Sequence, residues 1–136
     1  MVRKYSNRVR EAMLNAYEQI IAGGTLEIRT GAHPTNTTDA DTGTLIASAT
    51  FPTDWMGAAS GGTKLVNPGL TVTGLPAAGA GLLAGHYRLK GPGGTVDDQG
   101  SITISGGGGD ATMVNPTIVN GQTFQINIWT LNINGG

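Results

Sequence analysis

The side chains able to do acid–base or nucleophilic chemistry are thinly spread in this sequence. Its two histidines, His33 before Pro34 and His86 before Tyr87, show no His-x-x-x-His or Glu-x-x-His spacing and accompany no nucleophile elbow. A nucleophile and its base must meet in space, which a sequence does not exclude, but no motif here marks such a pair. His33 is therefore expected in a turn, and His86 as an exposed residue opening a strand. Asp39-Ala40-Asp41-Thr42-Gly43-Thr44 alternates carboxylates as a calcium loop does, yet it lacks the third oxygen position and the distant bidentate glutamate. A loop leading into a strand is expected there. Asp97 and Asp98 would diverge on a strand, and a polar turn is the default for them. Gly106 to Gly109 followed by Asp110 has no Lys-Ser/Thr and opens no helix, so it reads as a connection and not as a phosphate cradle. With no cysteine there is no disulfide, no thiolate metal site and no cysteine nucleophile. The expectation is a non-enzymatic protein with no cofactor and no metal.

Binding residues stand out more than catalytic ones. The formal net charge is −1, but Arg3, Lys4, Arg8 and Arg10 are four of the eight basic residues and no acid lies among the first ten positions. Those ten residues carry +4 and the remainder −5. Such polarity implies that the two parts meet different surroundings. Arg3, Lys4, Arg8 and Arg10 are accordingly candidate partner-binding residues. Trp55 and Met56 lie in Asp54-Trp55-Met56-Gly57, where no core pattern claims them, and are candidate anchors at a protein interface, a Trp55 ring folded back over the sandwich edge being the alternative. No run reaches the ~18 apolar residues of a membrane span, and no apolar signal-peptide core follows the basic start. Neither a membrane nor nucleic acid is expected as a direct partner.

The elements that must position these residues follow from hydrophobic period. A chain of 136 residues holds one domain, and 23 glycines with only 12% charged residues suit short strands joined by tight turns. Residues 7–22 form the only convincing helix: Val9, Met13, Ala16, Tyr17 and Ile20 make one apolar stripe, with Ala12 and Ile21 beside it. Ser6 is the expected N-cap, and Gly23-Gly24 the C-terminal stop. The stripe is expected to pack on the protein's own sheet, a partner copy being the other surface available to it. Arg8 and Arg10 oppose the helix dipole in the first turn, and so answer to something outside the helix. After Gly24 the period becomes two. Strands are expected at 25–30, 44–51, 70–73, 86–90, 101–105, 117–119 and 123–134. In the last of these Phe124, Ile126 and Ile128 share one face whereas Trp129, Leu131 and Ile133 share the other, which implies a bulge or a passage between buried faces. Residues 52–64 and 74–85 are expected as long loops. The fold class is mainly β: an antiparallel β-sandwich or jelly roll over 25–136, preceded at 1–24 by a basic arm and an amphipathic helix.

The order of features also resembles a known family. The helix is followed by Gly24-Thr25-Leu26-Glu27-Ile28-Arg29-Thr30-Gly31 and Pro34, then Asp41-Thr42-Gly43-Thr44-Leu45-Ile46-Ala47. Later come Gly85-His86-Tyr87-Arg88-Leu89, Gly100-Ser101, and Asn115-Pro116-Thr117-Ile118 leading to Gly121-Gln122. In this order the chain resembles the capsid cement, or decoration, proteins of tailed bacteriophages, of the jelly-roll cementing kind found in a Bordetella short-tailed phage. The resemblance implies a virion structural protein, made in the host bacterial cytoplasm and held on the outer capsid surface. Its implied partners are the major capsid protein and copies of itself, a dimer before a trimer. It supplies no catalytic residues. A tail or head–tail connector subunit and a small carbohydrate- or receptor-binding β module are the alternatives.

Overall fold

A computed structural model describes residues 3–67, 70–125 and 130–132. The helix α1 runs Asn7–Ile21, one residue shorter than the apolar period predicts. Ser6 is extended, and its hydroxyl accepts a hydrogen bond from the Val9 N–H, satisfying one of the otherwise unpaired amides of the first turn. At the other end the Ala22 N–H bonds the Glu18 carbonyl, and Gly23, at φ 76°, turns the chain away.

The strands are β1 (Thr25–Arg29), β2 (Leu45–Thr50), β3 (Thr63–Leu65), β4 (Thr71–Gly74), β5 (Leu82–Leu83), β6 (His86–Lys90), β7 (Val96–Ile104), β8 (Ala111–Met113), β9 (Thr117–Ile118), β10 (Thr123–Gln125) and β11 (Thr130–Asn132). Seven form one sheet in the order β10-β4-β2-β1-β6-β7-β8, while β11–β3 and β5–β9 form two ribbons. The fold is mainly β, antiparallel-rich and sandwich-like, with one helix. β1 sits centrally because its alternation is clean: Leu26 and Ile28 are buried, whereas Thr25, Glu27 and Arg29 face the other way. Its registers put Leu26 beside Ala49 and Leu89, and Ile28 beside Ala47 and Tyr87. With Ile21, Phe51, Val72 and Ile102 these residues belong to one contiguous core. Each fully buried aliphatic side chain contributes about 1.5–3 kcal/mol.

Several sequence expectations change. The segments read as loops contain β3, β5 and a 3-10 turn over Pro76–Ala78. β7 starts at Val96, not residue 101, and so carries Asp97 and Asp98 on a strand. β8, which the period did not reveal, pairs parallel with β7. Parallel neighbours usually need a long crossover; here only residues 105–110 intervene, and Gly106 and Gly108 make the reversal possible at φ 86° and 81°. The last expected strand divides, since β10 pairs with β4 and β11 with β3. Ile126, Ile128, Trp129 and Ile133 of that expectation lie outside the described residues.

Only one edge of the expected helix stripe turns inward: Ile21 is buried and Tyr17 packs against the core. Leu14 and Ile21 are its fully buried residues, while Val9, Met13 and Ile20 are 38%, 43% and 58% exposed. The cause lies in Glu18. Its carboxylate takes an ion pair from Lys64 of β3 at 2.8 Å and a hydrogen bond from the Met56 N–H at 3.1 Å, and its carbonyl accepts from the Trp55 indole at 3.0 Å. Lys64, only 3% exposed, also donates to Asn15 Oδ1 at 2.8 Å. This polar stitching rotates the helix so that the Val9–Met13–Ala16–Ile20 line lies roughly a third of a turn from the buried line.

Candidate functional site

The outer face of β1 and β6 is charged. On alternate positions it carries Glu27 and Arg29 from β1 and His86, Arg88 and Lys90 from β6, paired Glu27 to Arg88 and Arg29 to His86. Such a face needs either solvent or a polar cover, and residues 31–44 supply the cover. Arg88, 1% exposed, donates to Asp41 Oδ1 at 2.5 Å and to Gln99 Oε1 at 3.2 Å. It also donates to the carbonyls of Asn36, Thr37 and Asp39. Arg29 and Lys90 each reach both Glu27 and Asp41 at 2.8–3.1 Å. Partial burial would raise the Asp41 pKa, but hydrogen bonds from Lys90 and Arg88 and the charge of Arg29 outweigh it and hold the carboxyl at about 2. The Asp39–Asp41 stretch is thus engaged by protein groups, Asp39 accepting from the Asn36 N–H at 2.8 Å. Asp41 answers cations that the chain itself carries.

The basic segment is arranged differently. Arg3, Lys4 and Arg8 are exposed, and Arg3 lies over the Tyr5 ring at 5.2 Å. Arg10 is half-buried: it donates to Asn7 Oδ1 and to the Gly61 carbonyl at 3.3 Å, tying the helix start to the turn before β3. Of the four cations expected to meet a partner, Arg10 is therefore turned toward its own chain. Trp55 and Met56 require a fuller correction. Each is 2% exposed and belongs to the core. The Trp55 ring lies 4.4 Å from Phe51 and 6.1 Å from Tyr17, centroid to centroid. An indole that buries its ring and finds a carbonyl for its N–H is a core residue, not a surface anchor.

The groups suspected of chemistry are separately occupied. His33 Nδ1 meets the Pro34 carbonyl at 2.7 Å. His86, fully buried and not exposed as expected, meets the Gly31 carbonyl through Nδ1 at 2.8 Å, while its Nε2 has no partner among the described residues. Burial lowers its pKa, and the nearby cations lower it further. Ser101 donates its hydroxyl to Asp110, not to an imidazole, at 2.9 Å. Its N–H bonds the same carboxylate, and this backbone bond, ahead of the hydroxyl, holds the Asp110 pKa down. Asp97 and Asp98 do diverge: Asp98 accepts from the Tyr17 hydroxyl at 2.5 Å, whereas Asp97 is exposed. Burial first, and then the Asp98 charge, raise the Tyr17 pKa and keep the phenol a donor. An open cleft of about 410 Å³ lies beside Pro52, Asp54, Trp55, Asn67 and Leu70, with Asp54 its one ionisable side chain among the described residues.

One exterior region left for recognition lies at the helix, where the exposed cations Arg3, Lys4 and Arg8 precede or open a helix that exposes Val9, Met13 and Ile20; Leu83, Ile104 and Val114 are exposed elsewhere. The apolar half of this surface was legible in the helix period but was assigned to the core. Glu18 inside that period was the available sign that a polar contact would compete for the helix orientation. Compared with protein-family models, curated proteins and solved structures, the chain finds no match.

Proposed function

We propose that this chain is a structural protein that docks, in many copies, on an acidic protein surface, in the manner of a decoration protein on a tailed-phage capsid. The observation that carries the reading is a division among the cations. Arg29, Lys64, Arg88 and Lys90 all sit in ion pairs within the fold. Arg3, Lys4, Arg8 and Arg10 form no ion pair among the described residues, and three of them are exposed. An unpaired exposed cation is a long-range attractor for negative surface. Three exposed cations within six residues, Arg3, Lys4 and Arg8, make a local positive field at this end of the fold.

Multivalent attachment suits so modest a contact. Where copies sit side by side on a rigid lattice, engagement of one contact raises the effective concentration for the next. A chain with only 12% charged residues and a formal net charge of −1 limits repulsion between crowded neighbours. A sheet-based domain with a shared core resists deformation across such a lattice.

The test is occupancy on purified capsids that lack this protein. The unmodified chain is expected to bind at a molar ratio near that of the major capsid protein. The Arg3→Glu/Lys4→Glu variant is expected to bind at least about tenfold more weakly, with an unchanged circular dichroism spectrum. Undiminished occupancy of the variant overturns the role of the basic segment. No binding by either protein overturns the capsid reading, and a few copies per particle would assign the protein to a connector instead.

A further inference from the structure

Strand β3 is built the wrong way round for a core. Of its three residues Thr63 and Leu65 face outward, Leu65 being 54% exposed, while Lys64 takes the inward position and is 3% exposed. Lysine is among the residues least often enclosed. Its ammonium is costly to bury even when paired, and an apolar side chain at that position would avoid the cost. The reason for a lysine must lie in what it meets there.

Lys64 Nζ has two partners, and both are on α1. It lies 2.8 Å from Glu18 Oε2 and donates to Asn15 Oδ1 at 2.8 Å. Asn15 and Glu18 are three residues apart, so on a helix they stand one above the other on the same flank. Glu18 is held from behind, because its Oε1 accepts from the Met56 N–H at 3.1 Å and leaves Oε2 to Nζ. Met56 and Trp55, which bonds the Glu18 carbonyl, are both enclosed in the core. Asn15 is exposed, and its Nδ2 has no partner among the described residues. An amine, a carboxylate and an amide carbonyl thus converge at one enclosed atom. Neither other lysine has such a setting: Lys4 is exposed, and Lys90 sits between the carboxylates of Glu27 and Asp41 with no amide beside it.

These are the parts of an amide exchange. The bond to Oδ1 holds Nζ beside the carbon to which that oxygen is attached, and a well-oriented pair of this kind has an effective concentration of about 10⁵–10⁸ M. We infer that Lys64 and Asn15 become joined by a side-chain amide bond, with Glu18 as the acid–base group. Glu18 takes a proton from the Nζ ammonium. The freed lone pair attacks Asn15 Cγ, and the electrons of its C=O bond move onto Oδ1. Glu18 gives its proton to Nδ2 and takes a second one from Nζ. The C=O bond then re-forms, the Cγ–Nδ2 bond breaks, and ammonia leaves from the exposed side, carrying off the proton left on Glu18 as ammonium. No oxidant, reductant or further reactant is needed.

The product fastens the helix to β3 across 49 positions of sequence. It constrains the unfolded chain as a disulfide does, in a sequence with no cysteine to make one. It also discharges the enclosed ammonium, since the new amide is neutral. The inference concerns the purified chain alone and is decided separately from capsid docking.

Intact-mass spectrometry of the folded, full-length chain tests it. The mass should lie about 17 Da, one ammonia, below that of the sequence. Trypsin should leave Lys64 uncut and release residues 11–29 joined to residues 30–88 as one branched peptide. This readout uses the unmodified chain and does not depend on the folding of any variant. Lys64→Arg and Asn15→Ala should each keep the full mass. Glu18→Gln, which retains an acceptor for the Met56 N–H, should form the bond at least about a hundredfold more slowly. A full mass for the unmodified chain after prolonged incubation at neutral pH overturns the inference. So does a loss of about 17 Da that survives Lys64→Arg, because it would come from ring closure at another amide such as that of Asn120 before Gly121. A loss of about 18 Da would mean that water had left and Glu18 was the acyl partner, which overturns the role of Asn15. An unchanged rate in Glu18→Gln overturns its part in the proton transfers.

Discussion

Two groups of cations meet opposite fates in this molecule. Arg29, Lys64, Arg88 and Lys90 are held by Glu18, Glu27 and Asp41, and Arg88 is almost wholly enclosed. Arg3, Lys4 and Arg8 face outward without an ion pair among the described residues. The difference is one of context and not of side-chain type. Arg29, Arg88 and Lys90 lie on strands that present alternate residues to a covering loop, and Lys64 lies on a strand that meets Glu18 of the helix; the second group precedes or opens a helix whose inner side is already engaged. Cations on strands are used here to fasten the fold, and those near the helix start are left for recognition.

The sharpest way to break this contrast is to remove the enclosed member. Arg88→Ala would leave Asp41 and three loop carbonyls without their donor, and should cost about 3–5 kcal/mol in urea unfolding. A loss under about 1 kcal/mol would show that the loop is not fastened through this residue. Trp55→Ala should also cost about 3–5 kcal/mol, because it empties a ring-sized volume between Phe51 and Tyr17. A near-neutral result would return Trp55 to the exterior.

Acidification sharpens the contrast without mutation. The folded pKa of His86 lies below its ordinary 6.5 because burial disfavours the imidazolium. The unfolded chain therefore takes up the proton first, and stability should fall as pH drops below about 6.5, levelling beneath the folded value. Asp41 acts lower. Its folded pKa of about 2 against an ordinary 3.8 gives stability that is present above 3.8 and lost as pH falls toward 2. A thermal midpoint unchanged from pH 7 to 5 would contradict a buried neutral His86. The smallest expected effect belongs to the open region: Arg3→Ala/Lys4→Ala should change unfolding stability by no more than about 0.5 kcal/mol. A larger loss would mean that these cations fasten the fold as well.

How much of this could be read in the sequence depended on whether the signal was local. The cap at Ser6, the helix over most of its length and the alternation of β1 and β6 depend on neighbouring residues, and they were legible. β3, β5 and β8 have two or three residues each, too few for a period, and form because distant strands offer hydrogen bonds. The helix side was misread for a related reason: hydropathy ranks Val9, Met13 and Ile20 above Glu18, but cannot register that Lys64 and Trp55 arrive from another segment to bind it. The covered charged face left a legible trace. Glu27 with Arg29, and Arg88 with Lys90, recur at strand period on the side opposite the apolar residues. What the spacing lacked was the identity of the cover, which only the Asp41 contacts supply.

The pairing of β11 with β3 and of β10 with β4 also sets when the molecule can be finished. Each ladder joins residues separated by a large share of the chain, so each must wait for loop closure over that span. During synthesis β3 and the outer edge of β4 stay open until residues 123–132 emerge from the ribosome. The nascent chain meanwhile holds two unpaired strand edges, where a ribosome-bound neighbour or a chaperone can compete. Completion of this protein is thus a timing problem as much as a packing one.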